Sequence, residues 1–204
     1  LSRVYLMQND YANARDAADR VISSGEYALL DNYADNFNNS SNGSSNATPE
    51  DIFSIQVTTQ AGINNMNTFF ATSDFGGRGD IYVDPPHFDL YEAGDDRLNL
   101  FYDDERTGKW NNQFGNINII RLAEMYLTRA EANLQAGTTV GDTPLNDINT
   151  IRSRVGLADL GAVTVADVLA ERHLELAFEG HLIHDLKRTQ RSVGALPYNA
   201  PKLT

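Results

Sequence analysis

The chain has 204 residues, of which 41% are hydrophobic, so it is long enough for one large domain or two small ones around a packed core. Its formal net charge of −12 and its pI near 4.6 argue against nucleic acid as a partner, because such a partner requires a basic face. The absence of cysteine excludes disulfides and thiolate metal sites, and no apolar run approaches the roughly 20 residues that span a bilayer.

The first 24 residues predict a helical hairpin, residues 1–24. Residues 1–8 and residues 11–23 both carry apolar side chains at helical spacing, and Asn9 with Asp10 supplies the turn between them. The second helix is rich in alanine, whose small side chain lets two helices approach closely. The turn and this second helix resemble a tetratricopeptide repeat.

Residues 36–116 predict a loop-rich lobe. Residues 36–49 are almost wholly Asn, Ser, Gly and Thr, a composition that is typical of a surface loop. Residues 52–57 are a strand candidate, and from residue 60 onward glycine and proline turn signals interrupt every regular pattern. Because binding sites are often built on loops that a rigid scaffold positions, we expect a binding site in this lobe.

An aromatic and polar cluster in the lobe has the chemistry of a sugar site. A sugar ring offers an apolar C–H face bordered by hydroxyls, so its receptor needs an aromatic plane with amides and carboxylates at the edge. Trp110, the only tryptophan, is followed by Asn111 and Asn112, and Tyr102 lies nearby in the sequence. We therefore predict a glycan site with Trp110 as its stacking platform. The alternative is that these rings are buried anchors of the lobe, which we expect for Phe88, Tyr91 and Phe101.

The helical region, residues 117–191, predicts three amphipathic helices in succession. In the first, apolar residues recur at helical spacing from Ile119 to Leu134; the second starts at Pro144, and Thr164 caps the third. A glycine stop follows each helix, at Gly137, Gly156 and Gly180.

Three acids of the third helix, Glu171, Glu175 and Glu179, are spaced four residues apart and therefore share a face. Two of them bracket the apolar pair at residues 177 and 178. We predict a partly buried network of these acids with arginines of the last three helices, and we expect it to have no catalytic role.

Acid pairs and histidines give weak signals for catalysis or metal binding. A glycosidase needs two carboxylates about 5–10 Å apart, and the acids at Asp95-Asp96 and at residues 103–105 are plentiful without a diagnostic pattern. The latter lack the spacing of a calcium-binding EF-hand, and His181 with His184 lacks the order of zinc proteases. We predict no catalytic residue, no metal site and no cofactor.

Three stretches of the helical region are RLAEMYLTRAEA at residues 121–132, ERHLELAFEG at residues 171–180 and DLKR at residues 185–188. They closely resemble the C-terminal region of the SusD/RagB family, outer-membrane lipoproteins of Bacteroidetes that capture glycans or peptides for a TonB-dependent transporter. The resemblance implies a single domain over residues 1–204, mainly α-helical, in which tetratricopeptide-like hairpins support a loop-rich lobe with short strands.

The resemblance also implies a function. We expect a surface-exposed lipoprotein of the cell outer membrane that captures oligosaccharide and passes it, uncleaved, to a TonB-dependent transporter of the SusC type. Because family members are longer and carry a lipidated N-terminal cysteine, we expect the membrane anchor to lie upstream of this chain. One alternative is a tetratricopeptide-type scaffold that binds peptides or proteins. Another is a glycoside hydrolase with an acid pair.

Overall fold

The structure is a computed structural model that describes residues 1–38 and 47–192. Its α-helices are α1 (Ser2–Met7), α2 (Tyr11–Ser23), α3 (Asn65–Phe70), α4 (Leu122–Ala136), α5 (Pro144–Arg154), α6 (Val165–Glu175) and α7 (Leu182–Arg188). Its strands are β1 (Asp51–Ile55), β2 (Phe101–Tyr102), β3 (Arg106–Thr107) and β4 (Ile117–Arg121). The predicted mainly α-helical class with short strands is confirmed. Most of the predicted surface loop, residues 39–46, lies outside the described residues.

The chain divides into two compact units. The first, called the helical unit, contains Leu1–Glu26, Ala123–Ile151 and the described part of Leu160–Thr204. The second, called the loop unit, contains Tyr27–Leu122 and Arg152–Asp159. Neither unit, as far as it is described, has a helix with the length and apolar content needed to cross a membrane.

The predicted hairpin opens the helical unit. Asn9 adopts a left-handed backbone conformation with φ of 57°, which asparagine tolerates better than most residues. Asp10 then caps α2, because its side chain accepts a hydrogen bond from the backbone N–H of Asn13. Ala14 is fully buried against Leu6 of α1, so the small side chains of α2 do allow a close approach of the two helices.

The first predicted helix of residues 117–191 begins later than predicted. Ile117–Arg121 forms β4, which pairs antiparallel with β1, and the helix α4 starts only at Leu122. A short apolar run fits a strand as well as a helix, and here the hydrogen-bonding partner decides. That partner, β1, lies about 60 residues away in the sequence, so local periodicity could not reveal it.

The third predicted helix begins at its predicted cap and ends early. The Thr164 hydroxyl accepts a hydrogen bond from the backbone N–H of Asp167, and the Asp167 carboxylate accepts one from the backbone N–H of Thr164. This reciprocal capping box satisfies two donors at the start of α6. The helix ends at Glu175 instead of Gly180, and Phe178 beyond it has a left-handed φ of 63°.

A buried ion-pair network joins α4, α6 and α7. The guanidinium of Arg172 lies 2.8 Å from the Asp185 carboxylate and 3.6 Å from that of Glu124. The guanidinium of Arg188 donates hydrogen bonds to Asp185, at 2.8 Å, and to Glu131, at 2.7 Å. Arginines of this region were predicted to form such a network, but Glu124, Glu131 and Asp185 were not among the acids predicted for it.

The three acids that were predicted to share a helix face are only partly buried. Glu171 and Glu175 are buried, and Glu179, beyond the end of the helix, is half-buried. The predicted partial burial of these acids is therefore confirmed. The ion pairs described above involve Glu124, Glu131 and Asp185, which come from the helices α4 and α7. The predicted pairing of Glu171, Glu175 and Glu179 with arginines stays a prediction.

Two small antiparallel sheets organise the loop unit. One pairs β1 with β4 and runs from Asp51 opposite Arg121 to Ile55 opposite Ile117. The other is a short hairpin of β2 and β3, in which Tyr102 lies opposite Arg106. The connection between β2 and β3 is the acidic segment at residues 103–105, where Asp103 and Asp104 both have a left-handed φ. These exposed acids form a hairpin turn, a position that aspartate favours because it tolerates the left-handed conformation.

Candidate functional site

Trp110 cannot serve as the predicted stacking platform, because its indole ring is buried. The side chain is only 2% exposed and ends the 3-10 helix Gly108–Trp110. Its backbone carbonyl accepts a hydrogen bond of 2.9 Å from the side-chain amide of Asn67, and this bond connects the segment that carries Trp110 to α3. A platform must present one face to the ligand, so the structure supports the alternative that Trp110 is an internal anchor of the lobe.

The other predicted anchors pack against one another. The rings of Phe88 and Phe101 meet edge-to-face with their centroids 5.0 Å apart, and Tyr91 meets Phe101 in the same way at 5.7 Å. All three side chains are half-buried. This arrangement favours a structural role for the three rings over ligand contact.

The amides that follow Trp110 line an open cleft of about 540 Å³ in the loop unit. Opposite them, the cleft wall is the segment at residues 73–76, and Phe75 in this segment is 41% exposed. Of the predicted site residues, Asn111 and Asn112 therefore lie in one cleft, while Trp110 is buried and does not line it. The cleft lining consists of Ser73, Asp74, Phe75, Gly76, Asn111, Asn112, Gln113 and Phe114.

Tyr102 contacts the cleft wall that carries Phe75. Its ring meets that of Phe75 edge-to-face, with the centroids 5.3 Å apart, and its hydroxyl accepts a hydrogen bond of 3.2 Å from the backbone N–H of Thr72. Both contacts hold the segment that carries Phe75. Tyr102 does not line the cleft, and its predicted contact with a ligand stays a prediction.

The amides on the other wall are also held in place. The Asn112 side chain donates a hydrogen bond of 2.7 Å to the backbone carbonyl of Asn38, and Gln113 donates one of 3.0 Å to the carbonyl of Gly76. Gly76 has a left-handed φ of 78°, and a Cβ atom there would lie only 1.7 Å from the Gln113 amide nitrogen. A side chain here would displace the Gln113 amide and would adopt a strained backbone conformation, so glycine is favoured where the two walls meet.

Phe75 was missed because no local pattern distinguishes it from the other aromatic residues of the lobe. Its position becomes informative only when residues 73–76 are placed beside residues 111–114, almost forty positions later. The available signal was the glycine-rich turn that begins at Gly76, which marks a close approach of two backbone segments.

The acids that could have indicated a glycosidase have structural partners. Asp95 is buried and accepts hydrogen bonds from the Arg97 side chain at 2.6 and 2.9 Å. It also caps a 3-10 helix by accepting from the Arg97 backbone N–H. Asp96 accepts a hydrogen bond from the side-chain amide of Asn99. The Asp95-Asp96 pair therefore stabilises a turn, and it does not form two carboxylates facing a cleft.

The helical unit contains a second cavity, of about 420 Å³, beside α1 and α7. Its polar wall includes Arg3, Arg172 and His181, and its apolar wall includes Val4 and Met7 of α1. Both arginines already have ion-pair partners, so little charge is available for a ligand. Among the described residues, no group of three or more His, Cys, Asp or Glu side chains is arranged to hold a metal ion.

His181 gives the helical unit a pH dependence. Burial lowers the pKa of His181 to about 4, with a further lowering by Arg172, although the Glu124 carboxylate acts in the opposite direction. In the unfolded chain its pKa is near the ordinary value of about 6.5. Between these two values the unfolded state binds a proton that the folded state does not, so stability is full above about pH 6.5 and declines as the pH falls toward 4.

The parent should lose up to about 3 kcal/mol of folding stability through His181 between pH 6.5 and pH 4. We expect the His181→Gln substitution to remove this loss. Urea unfolding of parent and variant at a series of pH values measures the difference. His184→Gln is the matched control, because His184 lies three residues away on α7 and is exposed. If both variants kept the pH profile of the parent, the buried neutral His181 would be the wrong explanation.

Comparison with known proteins agrees with this architecture. The model of the SusD family matches residues 97–202. A SusD-like protein from Bacteroides ovatus is 35% identical over 80 residues, which is 38% of this chain and 15% of that protein.

Two solved structures have the same fold as this chain. Surface glycan-binding protein A from Bacteroides thetaiotaomicron, in complex with laminarihexaose, is 21% identical and has a TM-score of 0.79 over 96% of this chain and 54% of that one. A SusD-like carbohydrate binding protein from Bacteroides vulgatus is 24% identical, with a TM-score of 0.76 over 95% of this chain and 44% of that one. The chain thus spans about half the length of these structures, and its tetratricopeptide-like helical fold is confirmed.

Proposed function

Because the chain belongs to the SusD family, we propose that it is a glycan-binding protein of the outer-membrane surface that captures oligosaccharide through the cleft around Phe75. The single observation that carries glycan binding is the exposed Phe75 ring in an open cleft with a polar edge. Glycan binding by relatives supports the proposal, since surface glycan-binding protein A from Bacteroides thetaiotaomicron is solved with laminarihexaose.

The cleft has the composition that a sugar requires. The Phe75 ring offers an apolar plane for the C–H face of a pyranose, and the exposed Ser73 hydroxyl and Asp74 carboxylate are available beside it for the sugar hydroxyls. The cleft volume of about 540 Å³ falls within the roughly 300–1,000 Å³ of small-ligand sites. Because Tyr102 and the amide wall already hold the cleft open, little ordering is needed when a ligand binds.

The same cleft favours capture over cleavage. Among the described residues that line it, Asp74 is the one carboxylic acid. Hydrolysis of a glycosidic bond uses two carboxyl groups that flank the bond, as acid and as base or nucleophile. The proposed mechanism is therefore reversible binding, in which the glycan leaves unchanged.

The proposal includes the cellular role of the protein. After capture, the oligosaccharide is handed to a TonB-dependent transporter of the SusC type, and a lipid anchor upstream of this chain holds the protein at the membrane. Family membership supports both steps. The net charge of −12 is consistent with attachment through such an anchor, because an acidic surface is repelled by anionic lipid.

Calorimetry of Phe75→Ala tests the glycan site. A panel of neutral hexasaccharides (maltohexaose, cellohexaose and laminarihexaose) first identifies a ligand of the parent protein, and the variant is then titrated with it. Loss of the aromatic plane should weaken binding by about 1–3 kcal/mol. Phe53→Ala is the control, since Phe53 is 54% exposed on β1 and does not line the cleft.

The outcomes separate the parts of this proposal. Weaker binding by Phe75→Ala with unchanged binding by Phe53→Ala supports the cleft as the site. Equal affinities of parent and Phe75→Ala would remove the cleft from consideration. Failure of the parent to bind any glycan of a wider array would contradict the glycan-binding function itself.

A further inference from the structure

We propose that the cleft around Phe75 selects glycans by charge. It admits oligosaccharides of neutral sugars and excludes those that carry carboxylate or sulfate groups, with Asp74 as the residue that determines this specificity. The inference rests on the proposed glycan-binding function and specifies the chemical class of the ligand. It starts from the cleft lining, in which Asp74 is the one ionisable residue among those that the structure describes.

The negative charge of Asp74 is available to act on a ligand. The Asp74 side chain is exposed, and no arginine or lysine in the described part of the chain forms an ion pair with it. A carboxylate or sulfate that entered the cleft would therefore meet a like charge. Such charges repel each other more strongly near a protein surface than in bulk water, because the effective dielectric constant is lower there.

The cations closest in sequence to the two cleft walls are engaged elsewhere. Arg78, two residues beyond the first wall, pairs with Asp80, and its guanidinium carbon lies 5.0 Å from the Phe69 ring centroid. Lys109, two residues before the second wall, is buried, and its Nζ lies 4.6 Å from the Phe37 ring centroid. Neither side chain lines the cleft, so neither compensates the charge of an acidic sugar there.

Arg106 is also unable to supply a positive charge. It lies opposite Tyr102 in the hairpin of β2 and β3, and Tyr102 packs on Phe75. Its side chain is buried, however, and its Nη1 donates hydrogen bonds of 2.7 Å to the carbonyl of Gly79 and 2.8 Å to that of Ile81. The guanidinium therefore binds backbone and does not line the cleft.

Many N–H donors of the two walls are also in use. The backbone N–H of Asn112 donates to the side-chain oxygen of Asn38, and that of Phe114 donates to the side-chain oxygen of Asn112, both at 3.0 Å. In residues 73–76, the last two backbone N–H groups donate to carbonyls of the same turn, each at 3.0 Å. Strong binding of a carboxylate or sulfate uses cations or several free N–H groups, so these walls suit such a group poorly.

The accessible groups of the cleft fit a neutral sugar instead. The exposed Asp74 carboxylate accepts hydrogen bonds, and the exposed Ser73 hydroxyl both accepts and donates them. Each hydroxyl of a neutral sugar can donate, whereas an ionised carboxylate or sulfate only accepts. Hydrogen bonding and charge therefore favour the same class of ligand.

A matched pair of ligands tests the inference by calorimetry. One is the neutral hexasaccharide that binds the parent, and the other is the same hexasaccharide with its C6 hydroxyls oxidised to carboxylates. The quantity compared is the ratio of the two Kd values, oxidised over neutral. We expect a ratio of about ten or more for the parent, a ratio about fivefold smaller for Asp74→Asn, and a still smaller one for Asp74→Lys.

Asp104→Asn is the control for general charge effects. The chain carries a formal net charge of −12, which by itself repels an anionic ligand. Asp104 is exposed in the loop unit and does not line the cleft, and asparagine tolerates its left-handed φ of 56°. At 0.15 M salt the screening length is about 8 Å, so we expect this variant to keep the ratio of the parent.

Each contrary result has a distinct meaning. If the parent bound both hexasaccharides equally while Phe75→Ala weakened the neutral one, charge selection would be wrong and the proposed function would stand. A ratio that is the same in the parent, Asp74→Asn and Asp74→Lys would exclude Asp74 as the determinant. An equal fall in the ratio for Asp104→Asn would assign the selection to the net charge, against the inference. If the parent bound no glycan, the proposed function would fail, and this inference with it.

Discussion

Replacing Glu50 by Gln should destabilise the loop unit by about 3–5 kcal/mol. Glu50 is 0% exposed, and its two carboxylate oxygens accept hydrogen bonds of 2.6 Å from Arg121 and from Arg154. Gln keeps the volume but removes the charge, so both buried guanidinium groups lose their ionic partner. Urea unfolding should show a lower midpoint with an unchanged slope.

Glu92→Gln is the matched control for this experiment. The Glu92 carboxylate also accepts two hydrogen bonds from one arginine, Arg152, at 2.8 and 3.2 Å, but its side chain is 58% exposed. Water can replace the lost partner there, so the expected cost is under about 1 kcal/mol. Similar costs for the two variants would show that the Glu50 cluster is not a buried charge network.

Trp110→Ala should destabilise the protein as much as Glu50→Gln does, with an expected loss of about 3–5 kcal/mol of folding stability. The ring is among the largest fully buried side chains described, and truncation would leave a cavity inside the loop unit. Trp110→Phe should cost less, because it keeps most of the apolar volume. It also removes the indole N–H, which is buried and has no hydrogen-bond partner among the described residues.

Thermal or urea unfolding measures these two losses, and glycan affinity is measured in parallel on the folded Trp110→Phe variant. We expect that variant to bind like the parent, because the ring does not line the cleft. A stable Trp110→Phe protein with strongly reduced glycan affinity would restore the original assignment of Trp110 as a ligand contact.

Local sequence patterns determined most of the helical architecture. Three signals act over a single helical turn, and the structure contains all of them. They are the cap at Thr164, the turn at Asn9 and Asp10, and the proline at the start of α5. The family could be recognised for the same reason, because the diagnostic stretches are short and contiguous. Composition likewise placed the irregular part of the chain in the middle.

The strand pairing of the loop unit and the exposure of its side chains depend on tertiary structure and could not be predicted from local sequence. Whether residues 117–121 extend a helix or form a strand depended on β1, far away in the sequence. Whether Trp110 is a platform or an anchor depended on which surfaces cover it.

The exposed ring of Phe75 is a further example, because it lines a cleft only through the approach of residues 111–114. Composition and periodicity report on neighbours along the chain. Exposure, ion pairing and stacking depend on neighbours in space, which only the folded loops bring together.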